Sequence, residues 1–93
     1  MTSMIAIITV TGNDHPGIIA AVTTGLAEEN VNVLDLSQQI MGGYFTMILR
    51  VDTASSSSDS ITVLQEKMTA VGEAQNVLIR VQSEDIFRAV TQI

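Results

Sequence analysis

Residues 31–52 read VNVLDLSQQIMGGYFTMILRVD. In the first arm Leu34, Leu36 and Ile40 fall on one face and Asp35, Ser37 and Gln39 on the other, the period of two that a half-buried strand requires. One face is expected to be core and the other wet. In the second arm Phe45, Met47, Leu49 and Val51 share a face. Gly42 and Gly43 join the arms, and a Gly-Gly pair between two alternating segments reads as a tight hairpin.

Elements of other kinds flank this hairpin. MIAIITVT, residues 4–11, is apolar on both alternating sets, which predicts a strand covered on one face and paired along both edges, central in a sheet. From Pro16 the apolar residues Ile18, Ile19, Val22 and Leu26 recur at helical spacing as far as Glu28, Glu29 and Asn30, and Pro16 suits a first helical turn because its missing N–H is not needed there. After the hairpin, TASSSSDS at residues 53–60 reads as a surface loop, with Ser58 or Asp59 to cap a helix that carries Ile61, Leu64, Met68 and Val71. VLIRVQ, residues 77–82, predicts a fourth strand with Val77, Ile79 and Val81 on one face.

SEDIFRAVTQI closes the chain: Ser83 can cap a short helix, Glu84 and Asp85 suit the positive end of its dipole, and Ile86, Ala89, Val90 and Ile93 form one stripe. That stripe is expected to pack on its own chain or on a second copy. With right-handed crossovers the order β-α-β-β-α-β is the α+β, ferredoxin-like arrangement, a four-stranded antiparallel sheet with two helices on one face. One domain is expected over residues 1–93, with a core over 1–82 and the terminal helix over 83–93.

Composition narrows the function. A chain of 93 residues holds one modest core, and with 46% apolar residues but only two Phe, one Tyr and no Trp that core is aliphatic. Zero cysteines exclude disulfides, zinc ribbons, iron–sulfur clusters and thiol catalysis. A net charge of −6 repels phosphate backbones, and the four cations are scattered, so nucleic acid is not an expected partner. No apolar run approaches the ~20 residues of a membrane span and no basic leader opens the chain; a cytoplasmic protein with no membrane partner is expected.

The loop TGNDHPGIIA, residues 11–20, holds the only histidine and the only proline. Gly12 and Gly17 have P-loop spacing, but Ile18 and Ile19 stand where Lys and Ser or Thr would meet phosphate and magnesium. His15 reads as a loop residue near a helix start, as a ligand contact, or as an acid/base group without a nucleophile beside it. No second His and no Cys completes a metal site, so neither metal nor cofactor is expected. A strand-to-helix loop offers free backbone N–H groups at the positive end of the helix, suited to a carboxylate. Gly17 lets a ligand approach the backbone, and Asp14 can order the loop through its N–H groups or accept a ligand ammonium.

TVTGNDHPGIIAAVTTGLAEENVNVLDLSQQI, with its Asp-x-x-Gly-Ile loop at Asp14, Gly17 and Ile18 and its Asn-Val strand start at Asn32 and Val33, resembles the first half of an ACT domain. DLSQQ, YFTMILRVD and RVQSEDIFRAVTQI extend the resemblance to the free-standing, single-domain ACT proteins of bacteria and archaea. That resemblance implies a regulatory module without catalytic residues that binds an amino acid or similar small zwitterion where two copies pair edge to edge. The ligand would lie between Asn13, Asp14, His15, Gly17 and Ile18 of the loop and Asn32, Val33, Leu34 and Asp35 of the partner's second strand. For Asn32 a simple turn role stays open. VNVLDLSQQI supports a homodimer independently, because an exposed alternating edge must be covered, blunted or joined. The alternative is a structural, protein-interaction relative without a metabolite ligand that docks on an unknown protein partner.

Overall fold

The computed structural model describes residues 4–53 and 59–91, and it builds the expected order: β1 Ile5–Asn13, α1 Ile18–Glu28, β2 Asn32–Met41, β3 Tyr44–Asp52, α2 Asp59–Gln75, β4 Val77–Ser83 and α3 Glu84–Thr91. All pairings are antiparallel and the strands lie in the order β2-β3-β1-β4, so the doubly apolar β1 is central. Gly42 and Gly43 take φ +58 and +88, the left-handed pair that a two-residue hairpin demands. Ser58 and most of the serine-rich loop fall outside the described residues, and α2 starts at Asp59, whose charge suits a helix start.

The core lies between the sheet and α1 with α2. Ala6, Ile8 and Val10 of β1, Phe45, Met47, Leu49 and Val51 of β3, and Val77, Ile79 and Val81 of β4 meet Ile18, Val22 and Leu26 of α1 and Leu64 and Met68 of α2. Gly25 lets the helices close, since a Cβ there would stand 2.8 Å from the Met68 Cε.

β2 contributes nothing to this core, which corrects the expected core face. Its register keeps Leu36 and Ile40 opposite Leu49 and Phe45, on the helix side of the sheet. The helix layer sits over β3, β1 and β4, however, so Leu36 stays 45% and Ile40 59% exposed. A bulge between Val33 and Asp35 takes Leu34 out of the ladder, and Val33, opposite Val51, shares the helix side in its place.

One helix start also differs from expectation. Gly17, at φ +94, is the N-cap of α1, which places Pro16 in the preceding turn and leaves Ile19 partly exposed. The Ser83 Oγ does cap α3, accepting from the Ile86 N–H at 3.3 Å. Ile86 and Ala89 face solvent, so at these residues the stripe is not packed on its own chain; Ile93 and the Val90 side chain lie outside the described residues. No helix among the described residues is long and apolar enough to cross a membrane.

Candidate functional site

β1 ends at Asn13, opposite Tyr44, and the chain then turns across the top of the sheet. The Asp14 N–H donates to the Gly43 carbonyl at 2.8 Å, which ties the loop to the hairpin turn. Gly17 then reverses the chain into α1, whose first backbone bond runs from the Ala21 N–H to the Gly17 carbonyl at 2.9 Å. The earlier N–H groups of the helix have no place in its ladder and carry the positive end of its dipole. A Cβ on Gly17 would meet nothing within 4 Å, so that face of the loop is open. The glycine is needed for its positive φ and not for lack of room.

Between this loop and β2 lies a cleft of about 250 Å³. Asp14, His15, Gly17 and Ile18 line it, joined by Gln38 and Ile40 of β2 and by Phe45 of β3. Of the expected loop residues only Asn13 is absent from the lining. Gln38 lies outside the expected site residues, although it leaves a signal: it breaks the apolar alternation Leu36, Gln38, Ile40 on the side of the strand that faces the helices.

The expected strand residues lie elsewhere in the same chain. Asn32 is eight positions before Ile40, about 26 Å along a strand, and even Asp35 is about 10 Å before Gln38. Only Val33 is paired on the cleft's side of the sheet; Asn32, opposite Asp52, and Asp35, opposite Arg50, lie on the other face, and Leu34 sits in the bulge. There Arg50 joins β2 to α3: its Nε donates to the Glu84 Oε2 at 2.7 Å, and its other end approaches Asp35 at 3.7 Å. That hydrogen bond holds the Glu84 carboxyl below its ordinary pKa against a smaller opposing effect of burial.

His15 acquires two partners, one adjacent to it in sequence and one 60 positions away. Its Nδ1 lies 3.0 Å from the Pro16 carbonyl and its Nε2 2.7 Å from the carbonyl of Gln75, the last residue of α2. The Pro16 and Gln75 carbonyls, in that order, raise its pKa above the ordinary histidine value, with Asp14 adding a small Coulombic effect. Asp14 itself is exposed, and α1 starts at a residue with no side chain to cap it. Among the described residues no cluster of three or more His, Asp or Glu is placed to hold a metal ion.

The profile of the ACT domain family matches residues 4–82. A UPF0237 protein of Corynebacterium glutamicum is 54% identical over 90 residues, spanning 97% of this chain and all of that one. A UPF0237 protein of Methanosarcina acetivorans is 44% identical over 93 residues, with both chains covered in full. Among solved structures, an ACT domain protein from Streptococcus pneumoniae superposes with a TM-score of 0.81 at 40% identity, covering 92% of this chain and 96% of that one.

Proposed function

Because the chain belongs to the ACT domain family, whose members are regulatory modules and often bind amino acids, we propose that it senses an amino acid or similar small zwitterion at the interface of a homodimer. The observation that carries this reading is the cleft between residues 14–20 and the C-terminal half of β2, at the end of an edge strand that is exposed along its whole length. At about 250 Å³ it is smaller than the ~300–1,000 Å³ of sites for drug-sized ligands, a size suited to a small metabolite.

The chemistry matches both ends of such a ligand. The N-terminus of α1 attracts the carboxylate, while Asp14 and the Gln38 amide oxygen accept from the ammonium. Phe45 and Ile40 give the side chain an apolar wall. When β2 pairs with its twin across a two-fold axis, the antiparallel arrangement lays the 32–35 end of one strand against the 38–40 end of the other. The second copy then supplies the strand residues that a single chain holds too far away: the partner's Val33 from the cleft's side, and the partner's Asn32, Leu34 and Asp35 through their backbone. Ligand bridging two chains favours one arrangement of the pair, which is the difference in affinity that a sensor needs. On this reading the protein works as a binding module of the cytoplasm and not as an enzyme.

Thermal unfolding of the purified protein against each of the twenty amino acids tests it. A ligand at 100 times its Kd adds about 2.7 kcal/mol, and each kcal/mol moves the midpoint of a domain of this size by roughly 4–8 °C. A selective shift identifies the signal, and a flat panel from a folded dimer refutes the sensor. A flat panel would favour the interaction-protein reading instead, for which the structure offers Ile86, 57% exposed, beside a groove of about 440 Å³ lined by Ile61, Gln65 and Val81.

A further inference from the structure

We propose that His15 is the positioning residue of the ligand loop, and that it holds the loop as an imidazolium, so that one proton organises the cleft. The inference rests on the reading of that cleft as the ligand site. It comes from two facing carbonyls.

A carbonyl oxygen only accepts, and a neutral imidazole carries one N–H. Neutral His15 would therefore donate to the Pro16 or the Gln75 oxygen and turn a lone pair toward the other. The cationic ring donates to both, at 3.0 and 2.7 Å. The second carbonyl belongs to the last residue of α2, where main-chain oxygens have no helical partner and the dipole favours a cation. Asn76, at φ +57, turns the chain away from α2 immediately afterwards, as a helix-ending residue does.

The surroundings contain little else that titrates. Asp14, from the loop itself, is the charged side chain that acts on the ring. Ile18, Ile19 and Ala20 of α1, Gln38 and Ile40 of β2 and Phe45 of β3 are uncharged, and on the last turn of α2 Glu73 is exposed and does not act on the ring. One proton on one ring thus decides whether His15 holds both carbonyls at once or only one of them. The Asp14 N–H bond to Gly43 fixes the other end of the loop and does not titrate. Losing the proton leaves one N–H for two carbonyls, which loosens His15 to Gly17 and leaves Asp14 in place.

The sign follows from the raised pKa. The double tie is complete below the ordinary histidine value of about 6.5, and one of its two bonds is lost as pH rises through the higher value of the folded state. In that window the opening constant of the loop rises by up to tenfold per pH unit, the limit for one proton. The cleft is organised on the acid side and relaxed on the alkaline side.

Nuclear magnetic resonance of the ligand-free chain tests this directly. We expect both ring nitrogens of His15 to be protonated at pH 6, a titration above 6.5, and amide exchange of residues 15, 17 and 18, corrected for its intrinsic pH dependence, to quicken through that same titration. His15→Gln keeps one N–H donor for the Gln75 carbonyl and should hold the loop only as firmly as the neutral ring does, with no pH response, whereas His15→Ala should exchange quickly at every pH while the amides of Ile8 and Leu49 stay protected. A titration at or below 6.5, or loop exchange that ignores it, or a His15→Ala loop as protected as the parent, overturns the proposal. Repeating the amino-acid panel on both sides of the titration separates the two readings. A shift larger on the acid side supports the proton link and an equal shift overturns it, while the sensor reading depends only on whether any shift occurs.

Discussion

Exposed apolar side chains on β2 have a measurable consequence if that edge joins two copies. Leu36 and Ile40 are 45% and 59% exposed, so about half of each side chain is still in water in the single chain. Burying a Leu or Ile completely contributes about 1.5–3 kcal/mol, and the exposed half therefore about 0.75–1.5 kcal/mol. A two-fold interface contains four such side chains. Replacing them through the double substitution Leu36→Thr and Ile40→Thr should remove up to about 3–6 kcal/mol of association, or two to four powers of ten in the dimer constant. Threonine has the β-branching that a strand favours, and neither residue belongs to the core, but about half of each is already covered in the single chain, so the isolated chain should lose no more than about 1.5–3 kcal/mol. Sedimentation equilibrium from nanomolar to millimolar concentration reads the first effect, and thermal unfolding at the lowest workable concentration reads the second. A parent chain that stays monomeric throughout, or a double variant that dimerises as tightly as the parent, would refute pairing through this edge.

Two glycines are needed for different reasons, and alanine separates them. At Gly17 the space is open but φ is +94, so Gly17→Ala should cost about 1–2 kcal/mol and Gly17→Asn less, because Asn tolerates left-handed backbone; equal midpoints for the three chains would contradict this. At Gly72 the new Cβ would stand 2.8 Å from the Val77 carbonyl oxygen, so the crowding of about 1–3 kcal/mol should outweigh the gain of about 1 kcal/mol in helix propensity, and a Gly72→Ala chain that melts higher than the parent would show that α2 and β4 are not so close. Glu84 has a pKa lowered by Arg50, so its contribution to stability is present above the unfolded carboxylate value of about 4.3 and is lost as pH falls through the lower folded value. The thermal midpoint of the parent should therefore fall more steeply than that of Glu84→Gln below about pH 5, and parallel acid limbs would show that the pair contributes nothing.

Sequence periodicity carried the fold because each element announces itself locally. The alternation of Phe45, Met47, Leu49 and Val51 matches a buried row, and Gly42 with Gly43 marks the turn where both left-handed residues occur. The same alternation could not say whether the apolar side of β2 is covered, because period two reports which residues share a face and nothing about what stands opposite. Nor could it foresee the bulge at Leu34, which shifts Val33 into the place expected for Leu34. The loop residues 14, 15, 17 and 18 were legible as a group because they adjoin in sequence. The Gln75 partner of His15 is 60 positions away and is a main-chain carbonyl, so no side-chain pattern could have signalled it.

The two edges of the sheet are managed differently, and the difference favours β2 for the proposed pairing. On β4 the Gln65 side chain of α2 donates to the Val81 carbonyl at 3.0 Å, so a neighbouring helix already occupies part of that edge. β2 has no such cover: all ten of its residues are exposed, and its one long cation contact, from Asp35 to Arg50, crosses the face of the sheet and leaves the edge free. An edge with alternating apolar residues and no charge between Leu36 and Met41 lacks the usual devices against pairing. The cleft opens beside that same edge, at Gln38 and Ile40. A ligand there meets whatever pairs with β2, and Asp35, Arg50 and Glu84 connect the strand to α3 on the opposite face. On the proposed reading, a ligand-dependent change at the edge would reach the terminal helix through a single arginine, a physical route to a surface that a further protein could read.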